Sequence, residues 1–126
     1  MNPSRKDLIK YLNEFVFDKR KQIFEKKIKE RTEYITIVLE NIFQARNIAA
    51  SIRSADCFGI QDVHVIENHN AFQHDSEVSI GAEKWITTRK YNKNENNTLD
   101  AINSLKKEGY QIIATTPNNA DNETIT

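Results

Sequence analysis

The spacing of apolar residues in the first half of the chain predicts two N-terminal helices followed by buried strands. Apolar side chains recur at helical intervals, which predicts one helix over residues 5–16 and a second that begins at Asp18, as its N-cap, and runs to about Glu30. Residues 35–39 are short, β-branched and almost continuously apolar, which is typical of a strand buried on both faces of a parallel sheet. Residues 63–66 are predicted to form a second strand.

A third helix is predicted between these two strands. Asn47 is a favourable N-cap residue and Gly59 suits the position just past a helix C-terminus, so the helix is expected to run from Asn47 to Phe58. Its buried stripe is predicted to consist of Ile48, Ile52, Ala55 and Phe58.

The remaining pattern completes an α/β order. It predicts a polar loop over 67–77, one or two helical turns within 78–84 and a strand over 85–90. After a loop over 92–97, Leu99, Ile102 and Leu105 mark a helix that ends at Gly109, and a last strand is predicted over 110–114. Strands that alternate with helices indicate an α/β fold with a parallel sheet. We therefore divide the chain into a basic two-helix extension, residues 1–31, and an α/β domain, residues 32–126.

Charge is balanced over the whole chain but not along it. Lys and Arg number 18, and Asp and Glu number 18, yet residues 1–31 carry ten basic and five acidic side chains, a net charge of +5. A basic segment on an acidic body favours contact with a polyanion such as RNA. A solvated helical face explains the same pattern. An anionic membrane surface is a weaker third explanation, because the apolar residues here are needed for packing.

Composition excludes several classes of protein. No run of about 18 apolar residues exists and no apolar signal segment follows the charged N-terminus, so we expect a cytoplasmic protein without a membrane span. The single cysteine, Cys57, excludes an internal disulfide and is interpreted as a small packed hydrophobe. Three glycines are too few for a G-x-G-x-x-G fingerprint or a P-loop. His64, His69 and His74 do not have a zinc spacing, and no metal site is expected.

The stretch from Asn41 to Gly59 carries the candidate chemistry. It follows a predicted buried strand, and ligands of open α/β sheets gather at the carboxyl ends of strands. At the predicted helix start, Asn47 offers an amide beside free backbone N–H groups, where an anion is favoured, and Arg53 lies six positions further on. Plain structural roles stay open for both residues: Asn47 as a helix cap, and Arg53 as the ion-pair partner of Asp56.

This stretch resembles the first motif of the SpoU-type RNA ribose methyltransferases, which are part of the SPOUT superfamily. The motif's asparagine, its arginine six residues later, its Ser–Ala–Asp segment and its glycine correspond to Asn47, Arg53, Ser54-Ala55-Asp56 and Gly59. The family's following strand, the Gly-x-x-x-Trp segment of its TrmH branch and the strand before its second motif are similar to residues 58–66, 79–85 and 109–117. The resemblance therefore extends over almost the whole chain.

The resemblance implies a tRNA (guanosine-2′-O-)-methyltransferase, with rRNA as the alternative substrate, that uses S-adenosylmethionine and forms a homodimer. It implies that Arg53 lies at the reacting 2′-hydroxyl and that Asn47 holds the arginine or the ribose. Because arginine stays charged, we expect Arg53 to bind the neighbouring phosphate and to stabilise the developing alkoxide rather than to act as a base. Further RNA contacts are expected from Lys19, Arg20, Lys26, Lys27, Arg46 and Lys84.

Two features depart from the family pattern. Ala45-Arg46 stand where the family often has Pro-His, which adds a cation beside the expected RNA site. The second and third motifs, which form a C-terminal knot and bind S-adenosylmethionine, should follow Pro117 and are not present. We therefore expect a fragment that is inactive alone, with the cofactor site beyond Thr126. A non-catalytic RNA-binding α/β module is the alternative function, and Trp85 either stacks on bases or packs in the core.

Overall fold

The secondary structure follows the predicted α/β order. The structure, a computed structural model, describes residues 3–71 and 80–115. Its helices are α1, Arg5–Asn13; α2, Asp18–Lys29; α3, Ala45–Cys57; and α4, Asn97–Lys107. Its strands are β1, Ile37–Glu40; β2, Asp62–Ile66; and β3, Thr87–Tyr91, with a 3₁₀ turn at Ala82–Lys84 between β2 and β3.

The three strands form one parallel sheet in the order β1-β2-β3, which confirms the predicted fold class. The register places Leu39 of β1 opposite Val65 of β2, and Val65 opposite Lys90 of β3. Parallel neighbours need a crossover connection, and α3 supplies the one between β1 and β2. The carboxyl ends of all three strands therefore meet at one edge of the sheet.

The predicted last strand over 110–114 is wrong, because residues 111–115 have no regular secondary structure. The backbone N–H of Tyr110 donates to the carbonyl of Leu105, and its hydroxyl donates to the carbonyl of Glu33, just before β1. No ladder with β1 forms in the described part of the chain, and Ile113 is exposed. A β-branched run becomes a strand only where a partner edge accepts its backbone hydrogen bonds.

The main core lies between α3 and one face of the sheet. The predicted stripe residues Ile48, Ile52 and Ala55 are buried there against Val63 and Val65 of β2. The fourth predicted member, Phe58, is 81% exposed, because the helix ends before it and Phe58 is the C-cap.

The two faces of β2 are both covered, whereas those of β1 are not. Side chains alternate along a strand, so His64 and Ile66 point to the face opposite α3, where α4 packs against β2 and β3. β1 is an edge strand, and Leu39 is its one buried residue. The prediction of burial on both faces, made for residues 35–39, is thus wrong for β1, and β2 is the strand that is buried in this way.

Helix starts differ from the prediction, and one helix end agrees with it. α3 begins at Ala45 after Gln44, whose side chain makes no capping bond, so Asn47 is not the N-cap. Likewise Asp18 is the first residue of α2 rather than its cap. Gly59 follows α3 with φ of +73°, and a Cβ there would lie 2.1 Å from the carbonyl oxygen of Glu30. Only glycine fits this crossing of the chain.

The two N-terminal helices form an arm with no buried residue in either helix. α1 is closed by the predicted capping box, in which Ser4 and Asp7 bond each other's backbone N–H. No helix in the described part of the chain combines the length and apolarity that crossing a bilayer requires.

Candidate nucleic-acid interface

One exposed face of α3 carries two arginines. Arg46 and Arg53 lie seven positions apart, so they project from the same side of the helix about 10 Å from one another. Both side chains are exposed, and the small side chain of Ala50 lies between them. This face thus presents two positive charges to solvent in the helix that follows β1.

The structural alternative for Arg53, an ion pair with Asp56, is wrong. Both carboxylate oxygens of Asp56 accept hydrogen bonds at 3.0 Å from Nζ of Lys27, and Oδ1 also accepts one from Arg31. Among residues 3–71 and 80–115, Arg53 has no ion pair or hydrogen bond. The carboxylate of Asp56 therefore binds Lys27 of α2 and Arg31 rather than Arg53.

The contact of Asp56 with Lys27 and Arg31, here called the junction, stabilises the negative charge of Asp56. Burial pushes the pKa of Asp56 upward, but the hydrogen bonds and positive charges of Arg31 and Lys27 outweigh it and hold the pKa below its ordinary value. Asp56 therefore stays ionised at neutral pH and joins the basic arm to α3.

Lys27, one of the expected RNA-contacting cations, lies in this junction. Its Nζ also sits 5.6 Å from the centroid of the Trp85 ring, in a cation–π contact, and its side chain is 31% exposed. We therefore do not count Lys27 among the cations available to RNA. The four-residue spacing of Lys27 and Arg31 predicts a shared helix face, but nothing in the sequence identified Asp56 as their partner.

Asn47 and Arg53 are not brought together. Six positions on a helix correspond to a rotation of about 120°, so the two side chains leave α3 on different sides. Asn47 is exposed, and its carbonyl accepts a hydrogen bond from the hydroxyl of Ser51 at 2.9 Å. The two side chains share no hydrogen bond.

The remaining expected cations lie on the arm and on the 3₁₀ turn. Lys19 and Arg20 are exposed in the first turn of α2, and Arg20 stacks 5.7 Å above the ring centroid of Phe24. Lys26 is exposed, with Nζ 3.9 Å from a carboxylate oxygen of Glu30. Lys84 is exposed on the 3₁₀ turn, which packs against α3.

A network of asparagines at the carboxyl edge of the sheet was missed by sequence reasoning. Asn41 follows β1 with φ of +49°, a left-handed conformation that asparagine tolerates. Its side-chain oxygen accepts from the backbone N–H groups of Asn68 at 2.8 Å and His69 at 3.0 Å. Asn68 in turn donates to the Thr98 hydroxyl at 2.8 Å and accepts from the backbone N–H of Asn97 at 3.1 Å. The sequence does contain a signal for this network, because an asparagine lies one or two residues after each of the three strands.

The histidines show no metal cluster in the described ranges. His64 is buried, and its Nδ1 lies 3.0 Å from the Tyr91 hydroxyl. No group of three or more His, Cys, Asp or Glu among residues 3–71 and 80–115 could hold a metal ion. His74 lies outside the described residues.

Cys57, predicted to be packed, is exposed, because it lies on the arginine-bearing side of α3.

The fold places the chain in a known class of α/β protein. The structure matches that of a TrmH/SpoU tRNA modifying enzyme from A. aeolicus, with a TM-score of 0.67 and 21% sequence identity over 78% of this chain and 48% of that one. At this identity the match establishes the fold.

The family follows from the sequence itself. Residues 34–126 match the SpoU rRNA methylase family, and the chain belongs to that family. It is 42% identical over 118 residues to the tRNA (guanosine(18)-2′-O)-methyltransferase of Borreliella burgdorferi, covering 90% of this chain and 52% of the relative. It is 26% identical over 96 residues to the enzyme of the same name from Thermus thermophilus, covering 76% and 47%. The chain spans about half the length of these curated relatives.

Proposed function

We propose that this chain is the RNA-contacting half of a tRNA (guanosine-2′-O-)-methyltransferase that uses S-adenosylmethionine. The observation that carries the proposal is the state of Arg53, whose guanidinium is exposed on the helix after β1 while Asp56 is engaged by the arm. Membership of the SpoU family supports the reaction type, and the two relatives named as tRNA methyltransferases support tRNA rather than rRNA. A homodimer acting in the cytoplasm belongs to the same proposal.

In the proposed reaction Arg53 provides charge stabilisation. A ribose 2′-hydroxyl must lose its proton as its oxygen attacks a methyl group. Arg53 binds the adjacent phosphate and stabilises the developing alkoxide, while the proton passes to a phosphate oxygen or to water. Asn47, on the neighbouring side of α3, acts on the ribose rather than on Arg53, since about 120° of helix separates the two side chains.

The proposed RNA-binding surface consists of the exposed cations of the arm, α3 and the 3₁₀ turn. Its members are Lys19, Arg20, Lys26, Arg46, Arg53 and Lys84. If each of them neutralises one phosphate, the logarithm of affinity should fall against the logarithm of salt concentration with a slope of about −4 to −5.

The described residues do not mark a place for the methyl donor. No buried side-chain nitrogen or oxygen in this part of the chain lacks a hydrogen-bond partner, and the asparagines at the carboxyl edge bond one another. S-adenosylmethionine, where it is bound, would supply the electrophilic methyl group, and its sulfur would keep the electron pair of the sulfur–carbon bond that breaks.

The first test is tRNA binding by the 126-residue chain as a function of salt concentration. Neutralising Lys19 and Arg20 together should weaken binding and reduce the salt slope by about 2. The control is neutralisation of Lys106 and Lys107, which are exposed at the end of α4, beyond the proposed surface. An equal loss of slope in both pairs would contradict the proposed surface.

The second test is methyl transfer in a chimera in which this chain replaces the matching half of the Borreliella burgdorferi relative. Arg53→Ala should lower kcat/KM for methyl transfer to tRNA by about 100- to 1,000-fold, the usual cost of removing one group that stabilises a developing oxyanion. Lys106→Ala is the control and should leave the rate unchanged. Near-normal turnover of Arg53→Ala would remove Arg53 from the mechanism.

A further inference from the structure

A groove between the arm and the α/β body combines aromatic and cationic side chains. Its volume is about 540 Å³, within the range of small-ligand sites. Its lining residues are Phe17, Lys19, Arg20, Ile23, Phe24 and Trp85. Half of these side chains are aromatic and none is acidic, and the exposed surface of the groove is almost entirely apolar although two of the six residues, Lys19 and Arg20, are cationic.

The aromatic walls of the groove are held in place by their neighbours. The ring of Phe24 meets the ring of Trp85 edge-on, with centroids 5.6 Å apart. Lys27, fastened by Asp56, covers Trp85, and Arg20 covers Phe24. Since both rings are fixed before any ligand arrives, a flat ligand would not have to order them.

Phe17 is the unexplained part of this groove. Its side chain is 86% exposed, although it stands at the N-cap of α2, where a capping side chain would serve the helix better. An exposed aromatic ring beside the two exposed cations Lys19 and Arg20 offers a π face to a base and positive charge to the phosphate that accompanies it.

We propose that this groove binds one unpaired nucleobase of the RNA, stacked against Phe17 and Trp85, with its phosphate paired to Lys19 or Arg20. The base must be unpaired because a duplex keeps its bases stacked inside the helix. Charge complementarity selects this occupant over an apolar peptide or a second copy of the chain, since the +5 segment 1–31 favours a polyanion. The inference rests on the proposed function and adds a subsite for one base, whose lining does not include Arg53.

The test uses the chain's one tryptophan, Trp85, as a fluorescent reporter of stacking. The probes are a single-stranded oligoadenylate of about ten nucleotides and an abasic ribose-phosphate oligomer of the same length. Oligoadenylate should quench the fluorescence of Trp85 and bind more tightly than the abasic oligomer. Phe17→Ala should weaken oligoadenylate binding by roughly 5- to 100-fold, and Phe17→Tyr should retain it.

Phe58→Ala is the matched control, because Phe58 is 81% exposed and does not line the groove. Equal binding of both oligomers, unaffected by Phe17→Ala, would overturn the base subsite while leaving RNA binding intact. Failure of tRNA and of both oligomers to bind would overturn the proposed function together with the subsite. Quenching that grows with protein concentration in the absence of RNA would assign the groove to a second copy.

Discussion

Replacing Asp56 by asparagine should loosen the arm from the α/β body. The substitution keeps the shape of the side chain but removes the negative charge that Lys27 and Arg31 share. Both cations would then face each other across a neutral amide. The contact of Lys27 with Trp85 would lose the carboxylate that holds the ammonium group in place.

The size of the effect follows from burial. The side chains of Asp56 and Arg31 are 15% and 10% exposed, whereas that of Lys27 is 31% exposed. Removing one partner of a fully buried pair costs about 3–5 kcal/mol, and solvent access to Lys27 reduces this, so we expect Asp56→Asn to cost about 2–3 kcal/mol of unfolding free energy. For a chain of this size, that loss lowers the Tm by about 10 °C.

The assay is urea unfolding of Asp56→Asn, Arg31→Gln and the double variant. The double variant should be no less stable than the worse single variant, with a coupling energy of at least about 1 kcal/mol. Asp18→Asn is the control, since Asp18 forms an exposed ion pair with Lys21 and should change stability little. Additive effects of the two single variants would refute the reasoning.

The same junction predicts a pH dependence. The pKa of Asp56 is lowered in the folded state, so its contribution is complete above the ordinary aspartate pKa and is lost as pH falls through the lowered value. The stability of Asp56→Asn should therefore decline less steeply as the pH falls through the acid range. A decline identical to that of the unchanged protein would contradict the role of Asp56 in the pH dependence.

Two further predictions concern the backbone and the buried histidine. Gly59→Ala should lower the free energy of unfolding by about 3 kcal/mol in chemical denaturation, because φ is positive there and the new Cβ would meet the carbonyl of Glu30. Gly109→Ala is the control and should cost about 1 kcal/mol, since φ is positive but the space around it is open; equal costs would contradict the clash. Burial lowers the pKa of His64, so the free energy of unfolding should decline by up to about 1.4 kcal/mol per pH unit as pH falls below about 6.5. His64→Gln, which can still bond Tyr91, should flatten that decline, and an unchanged slope would show that His64 is not its source.

Features set by nearest neighbours along the chain were predictable. The capping box of Ser4 and Asp7 depends on two residues three positions apart, and the left-handed Gly59 depends on the end of one helix. The buried stripe of α3 follows from its helical period. The parallel sheet follows from the β-branched runs and from the helix between them.

Features that need a distant partner were not predictable in the same way. Lys27 and Asp56 are 29 positions apart, and only the folded chain shows that the arm returns to α3 at that point. The β-branched residues 110–114 satisfy every local rule for a strand, yet no neighbouring ladder forms with β1 among the described residues. The N-cap error at Asn47 arose because the helix starts two residues earlier, at Ala45, although Gln44 offers no capping bond.

The position of Asp56 on α3 links the arm to Arg53 mechanically. Arg53 and Asp56 are three residues apart, which places their side chains about 60° from each other around one rigid helix. Any rotation of the arm about its ion pairs is therefore a rotation relative to Arg53. A substitution at Asp56 should change which phosphates Lys19 and Arg20 can reach while Arg53 holds its own, so it should alter RNA affinity without removing a single RNA-contacting group.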